Sequence, residues 1–293
     1  MLVSTEIRDF LMSRREKIQP EDVGLPRGPR RRVRGLRREE VATLAGVSVD
    51  YYIQVERGGV DGVSDDVLAA ISHALNLDDA ERAHLFALVR AATTRRPPRS
   101  PEPTDLRVPV ALRQLLDAIT EAPAVIQSGG LDIVAANSLG RALYSSAYDA
   151  QGECPNLARY VYLDDDALRF FHDWDAVADE VAAILRAELA HSPSSALEML
   201  VSELSVGSQA FRRRWAAHDV VDHRRGFKVL HHAAVGELRL RYEALEITGM
   251  PRARLLGYTA DPDYPATREA LKLLGLVSHG ALSTLVGVRE TEG

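Results

Sequence analysis

Seven arginines fall within the twelve residues from Arg27 to Arg38, with no acid among them. Guanidinium forks match phosphate oxygens in pairs, and neutralising phosphates releases condensed counterions. A run of this kind beside a folded element suits the backbone of a nucleic acid. Arg30, Arg31, Arg32, Arg34, Arg37 and Arg38 are therefore the first candidate contacts. Gly28, Pro29 and Gly35 keep the run from continuing as helix, so it reads as an arginine-rich loop.

The loop leads into Leu36–Gly58, which reads as two short amphipathic helices joined at a glycine. Val41, Ala42 and Ala45 give the first an apolar face. Gly46 supplies the turn, where a left-handed backbone costs no side-chain clash. Ser48 caps the second helix, Tyr52 and Val55 face inward, and Val49, Asp50, Tyr51 and Gln54 point out. Capping, spacing and polarity agree on a helix-turn-helix, whose second helix enters the major groove of DNA. An ordinary αα-hairpin accounts for fewer of these cues.

Other chemistry finds little support. There is no glycine-rich phosphate loop, nucleophile elbow or paired acid and base, so the chain reads as no enzyme. His218, Asp219, Asp222, His223, His231 and His232 lack the spacing of a closed metal site, and strand neighbours His231 and His232 would point to opposite faces. No metal and no cofactor are expected. Cys154 is the single cysteine, which excludes an intramolecular disulfide and a cysteine-based zinc site.

The elements that must position these residues follow from hydrophobic periodicity. A helix over Thr5–Lys17 carries Ile7, Phe10 and Leu11 inward. A fourth helix runs from a Ser64 cap to Leu75, and a fifth from Asp78 or Asp79 to about Ala92. A Pro- and Arg-rich linker, 94–106, follows; proline at that density favours extended chain. Residues 107–276 change character. A helix from Pro109 presents Leu112, Leu115, Leu116 and Ile119. Strand-like runs at 124–128 and 131–135 flank Gly129–Gly130, a hairpin signal. Asn137 caps a helix to about Ser146. Helices at 156–162, 174–190, 194–204 and 208–217 precede strands at 227–232, 236–247 and 254–260. A helix over 264–274 closes the domain, leaving 277–293 as a tail. Two strands, a block of helices and three strands give the order of a PAS-like sensor fold. The expected class is multidomain: a five-helix all-α domain over 1–93, then an α+β domain with a five-stranded antiparallel sheet.

Charge divides the same way. Residues 1–99 hold 17 Lys and Arg against 15 Asp and Glu, and the remainder 19 against 27, for an overall charge of −6. Only the N-terminal part is expected to meet nucleic acid. Neither a signal peptide nor an apolar run of membrane-spanning length is seen, so the expected location is the cytoplasm, away from the membrane.

The N-terminal part is similar to Xre-type helix-turn-helix regulators, and residues 5–275 resemble the MmyB-like transcription regulators. The resemblance is carried by Glu21–Pro26, Gly35–Ala42, Leu44–Tyr52 and Asp78–Arg82. In the second domain Phe211–Val220, Val235–Leu238 and Tyr258–Ala260 carry it. It implies a DNA-binding transcription regulator with a PAS-like domain for a small, often lipid-like effector such as a fatty acid. The alternative is a second domain that only dimerises or meets a protein partner.

The motif match gives the candidate DNA contacts their roles. Arg38 opens the first helix toward phosphate or a base edge. Ser48 holds a phosphate at a helix N-terminus. Val49, Asp50 and Gln54 face the groove. Gln54 suits a bidentate pair with adenine, and Asp50 either accepts from cytosine or caps. Tyr51 divides between phosphate contact and packing. One such motif buries little surface, so a homodimer on double-stranded DNA is expected.

In the second domain Phe171, Trp174, Trp215, Tyr242 and Tyr258 are candidates to line an apolar pocket, each with an ordinary core role as its alternative. Arg214, His218 and Arg224 are candidates to pair with an effector's carboxylate.

Overall fold

A computed structural model of the chain describes residues 2–26, 33, 35–93, 107–217 and 225–289. The chain divides into two units. The first holds Met1–Ser100 with Arg186–Ser195 and Arg213–Asp222; the second holds the rest.

The first unit contains α1 (Leu2–Lys17), α2 (Arg38–Ala45), α3 (Val49–Glu56), α4 (Asp65–Ala74) and α5 (Asp79–Thr93). The expected inward residues Ile7, Phe10, Leu11, Val41, Ala42, Tyr52, Val55, Leu68 and Ile71 are all buried in one core. Caps set the boundaries. Ser48 Oγ accepts the Tyr51 N–H at 3.2 Å, and Ser64 Oγ accepts that of Val67 at 3.4 Å. Arg37 N–H donates to the Glu40 carboxylate at 2.6 Å, so Glu40 holds the start of α2. Gly46 stands at φ 66°, the left-handed stop that turns α2 into α3.

The second unit is α+β. Its five-stranded sheet has the order β2-β1-β5-β4-β3, every neighbouring pair antiparallel. The strands are β1 (Ala124–Gln127), β2 (Ile133–Ala136), β3 (Arg225–His232), β4 (Gly236–Glu246) and β5 (Arg254–Ala260). Before them lies α6 (Val110–Asp117). Between β2 and β3 come α7 (Ser138–Leu143), α8 (Ser145–Gln151), α9 (Leu157–Leu163), α10 (Asp166–Phe170), α11 (Trp174–His191), α12 (Ser195–Gly207) and α13 (Gln209–Ala216). The chain closes with α14 (Pro265–Arg289). The expected fold class is the observed one: a helical helix-turn-helix region, then an α+β unit with a five-stranded antiparallel sheet.

Some details differ from expectation. The β1–β2 connection takes its left-handed residue at Leu131, φ 69°, and not at Gly129 or Gly130. Ser128 Oγ bonding to Asp132 Oδ2 at 2.8 Å and to the Asp132 N–H at 3.0 Å braces that turn. Leu115 is 60% exposed, because the small cluster against α6 accommodates only Leu112, Leu116 and Ile119. The five residues of α10 were too short to show a helical period. Helix α14 runs past Leu274, since no proline stops it and Leu276 and Val277 sustain the ladder.

Candidate functional site

The recognition helix is set by a buried ion network. The Glu56 side chain, 1% exposed at the end of α3, receives Arg15 Nε from α1 at 2.8 Å on one oxygen and Arg38 Nε from α2 on the other. Arg15 also donates to the Leu36 carbonyl at 2.8 Å. Two cations on one buried carboxylate satisfy it from both sides, the condition under which such a charge is tolerated. Tyr52 OH points at the same carboxylate at 3.5 Å, and burial pushes this phenol upward in pKa, with Glu56 adding to the shift. Thus α1, α2 and α3 meet on Glu56. A cleft of about 450 Å³ beside it is lined by Arg8, Met12, Arg38, Glu56 and Arg57.

The outward side of α3 matches expectation at three of its four positions. Val49, Asp50 and Gln54 are exposed, while Tyr51 is half-buried against the core, on the packing side of its two readings. Gln54 Nε2 lies 3.4 Å from the Gly59 carbonyl, a long contact that leaves its amide available. Arg37 is exposed and pairs with Glu39 at 3.2 Å. Arg30, Arg31, Arg32 and Arg34 lie outside the described residues, as does the linker 94–106.

In the second unit the aromatic candidates sit in two groups. Tyr242 of β4 and Tyr258 of β5 are register partners, with ring centroids 6.1 Å apart. Tyr258 OH and Tyr144 OH share a hydrogen bond of 2.7 Å. From Tyr144 the stack continues to Phe170 at 6.0 Å, and from Phe170 to Phe171 at 4.9 Å and Tyr160 at 5.9 Å. Trp174 belongs to the other group: its ring meets Tyr162 at 6.2 Å, and Tyr162 meets Phe211 at 5.0 Å. Its indole N–H donates to the Val161 carbonyl at 2.9 Å.

A polar rim borders the first group. Tyr242 OH donates to Glu180 Oε1 at 3.1 Å, and Lys228 Nζ lies 3.3 Å from Glu180 Oε2. The ammonium stands 5.0 Å from the centroid of the Tyr242 ring. Burial pushes the Tyr144, Tyr242 and Tyr258 phenols up in pKa, so they remain neutral donors. Gly226, opposite Tyr242 in β3, makes this arrangement possible: a Cβ there would stand 2.6 Å from the tyrosine ring.

The family comparison now bears on both units. The family model for the MmyB-like transcription regulator ligand binding domain matches residues 108–274. The chain belongs to the MmyB-like transcription regulators. In this MmyB-like regulator a helix-turn-helix domain model also matches residues 28–85, covering α2, α3 and α4. A comparison with curated proteins finds no match. The two matched domains make the chain a DNA-binding transcription regulator with a ligand-binding domain.

Not every candidate of the regulator's effector site comes together. Arg214 and Trp215 belong to the first unit. There the Arg186 guanidinium stands 4.2 Å from the centroid of the Trp215 ring, donates to the Trp215 carbonyl and donates to Glu6 Oε2 at 2.6 Å. His218 and Arg224 lie outside the described residues. His231 is exposed while His232 is buried and bonds the Ala142 carbonyl at 3.0 Å, opposite faces as expected. Among the described residues no three His, Cys, Asp or Glu side chains are gathered as a metal site, and no helix is long and apolar enough to cross a membrane.

Sequence reading missed Glu56, Arg15, Glu180 and Lys228. A buried Glu56 at the end of an apolar helix face was a signal in reach, since an acid on the inner stripe demands a partner. Lys228 and Glu180, 48 residues apart in the chain, carried none.

Proposed function

We propose that the effector of this regulator is an elongated, mostly apolar molecule with an acidic head, of the fatty-acid type, and that the working form is a homodimer on a near-palindromic operator. The observation that carries the effector reading is the tyrosine layer with Lys228 at its rim. Tyr242, Tyr258, Tyr144 and Phe171 offer an apolar path, and Lys228 is the cation beside it. An entering carboxylate would take the place of Glu180 on Lys228 and Tyr242 OH, a charge-assisted exchange in half-buried surroundings. The rings now pack on one another, so binding must select a conformation in which they have turned. A ligand acts only through such a difference in affinity between two states. On the DNA side, Ser48, Val49, Asp50, Tyr51 and Gln54 face the groove, while Arg37, Arg38 and the loop arginines hold phosphates. The exposed ridge of α3 supports this reading.

The test is thermal unfolding of the full chain with straight-chain carboxylates of graded length, their alcohols as controls. A ligand at a hundredfold its Kd should stabilise by about 2.7 kcal/mol. Lys228→Met should erase the preference for acid over alcohol, and Gly226→Ala, which displaces Tyr242, should weaken both. No stabilisation by any of them, together with no adduct in native mass spectrometry, would point to a second domain that serves only dimerisation or partner binding.

A further inference from the structure

We propose, on the footing of the effector reading above, that Arg186 is the positioning residue through which effector occupancy reaches the recognition helix. Helix α11 belongs to both units: residues 174–185 lie in the second and residues 186–191 in the first. It contains neither proline nor glycine, the usual causes of a kink, so a shift at one end is carried to the other. Glu180 and Arg186 are six residues apart on it, about 9 Å along the axis at about 1.5 Å per residue.

Each end of the helix is anchored inside its own unit. In the second unit Glu180 accepts from Tyr242 OH at 3.1 Å and stands 3.3 Å from Lys228 Nζ. The Ala178 carbonyl accepts Tyr162 OH. In the first unit the Arg186 side chain is 2% exposed. Its guanidinium donates to Glu6 Oε2 of α1 at 2.6 Å, donates to the Trp215 carbonyl and stands over the Trp215 ring. Ala190 joins the same core as Ile7, Phe10 and Leu11 of α1, with Ala187 packed against it. Residues 186–191 fall inside the matched ligand-binding domain, yet they complete the core of the helix-turn-helix unit.

From Glu6 the path continues along α1 to Arg15, nine residues on, whose Nε holds Glu56 at the end of α3. The pairs Lys228–Glu180, Arg186–Glu6 and Arg15–Glu56 are thus strung on two helices, α11 and α1. An acid that takes the place of Glu180 on Lys228 releases the second-unit end of α11. Arg186 then shifts, and α1 follows, because a buried guanidinium separated from its carboxylate is strongly unfavourable. With all three pairs closed α3 is held in place, and opening the first loosens it. Acid and DNA therefore oppose each other, a coupling that acts equally in both directions.

The experiment uses the full chain and needs no ligand for its first part. Glu180→Gln opens the pair with Lys228, and hydrogen exchange at the α1 and α3 amides should rise by about fivefold or more. In a chain that also carries Arg186→Gln and Glu6→Gln, where two amides replace the ion pair, adding Glu180→Gln should change that exchange by less than about twofold. Glu6→Gln alone, at a side chain 28% exposed, gives the same comparison where the paired variant fails to fold. In the second part dodecanoate, its binding read by thermal shift, should raise the Kd for a duplex selected by the chain from a random pool by about 5- to 150-fold. The Glu6→Gln and paired variants should lose that effect. Unchanged α1 and α3 exchange in Glu180→Gln overturns the role of Arg186, whether or not dodecanoate binds. So does an acid effect on duplex affinity that survives in the Glu6→Gln and paired variants. A Glu180→Gln response that depends on Arg186, in a chain that does not bind dodecanoate, upholds that role and overturns the fatty-acid reading alone.

Discussion

Arg15 Nε and Arg38 Nε each hold one oxygen of the Glu56 carboxylate, so α1 and α2 are pinned to the end of α3. The recognition helix α3 is thereby oriented from its C-terminal end, while Ser48 fixes its N-terminal end. Arg38 is 42% exposed, so this anchor leaves one side of its guanidinium facing solvent.

Replacing Glu56 by alanine should destabilise the first unit by about 3–5 kcal/mol, because Arg15 would remain buried without its carboxylate. Hydrogen exchange at the amides of α1, α2 and α3 in the full chain reads this directly. Exchange in β4 and β5 should stay unchanged. Equal loss of protection in both units would show that Glu56 does not act locally.

If the loop arginines hold phosphates as proposed, they set the salt dependence of DNA binding. About five phosphate contacts per subunit give a log–log salt slope near −4 to −5. Replacing Arg30, Arg31, Arg32 and Arg34 together by alanine should flatten that slope in a fluorescence-anisotropy titration. An unchanged slope would mark the run as solvated surface.

Gln54→Ala should relax base preference at one position per half-site, at a cost of about 1–3 kcal/mol. Among the described residues its amide makes only the long contact to Gly59, so folding should be unaffected. Half-sites should repeat at multiples of roughly 34 Å along the duplex if the chain binds as a dimer. A monomer in sedimentation velocity, both free and saturated with operator, is incompatible with this.

Alkali should destabilise the second unit. Tyr144 and Tyr258 are buried phenols whose pKa values lie above the ordinary one. Above about pH 10 the unfolded chain releases these protons and the folded chain keeps them, so the unfolded state binds fewer and stability falls as pH rises. Each phenol contributes a slope of about −1.4 kcal/mol per pH unit in that window. The unfolding temperature between pH 9.5 and 11.5 measures it, and Tyr144→Phe should give a shallower decline.

Much of the fold was legible in the chain. Ser48, Ser64 and Asn137 announce helix starts because a cap is a contact with a backbone N–H two or three residues on. The alternation of Leu238, Leu240 and Tyr242 announces β4, because strand side chains alternate faces. Ile7, Phe10 and Leu11 announce the inner face of α1 for the equivalent helical reason. The exposed residues of α3 follow from the same periodicity, so the candidate DNA-reading ridge was set by local sequence.

What tertiary structure alone decided are the meetings between distant residues. Trp215 reads as a pocket residue from its neighbours in the chain, yet its ring lies beside Arg186 in the first unit. Lys228 and Glu180 carry no sequence signal for each other, yet they meet beside Tyr242. His172 and His231, 59 residues apart, come to 3.0 Å because a turn docks on an edge strand. Periodicity reports which face of an element is buried. It carries no information on which other element covers that face, since burial free energy depends on area and not on partner. Charged and hydrogen-bonded pairs do depend on their partners, and the packing of helices on the sheet settles which groups meet.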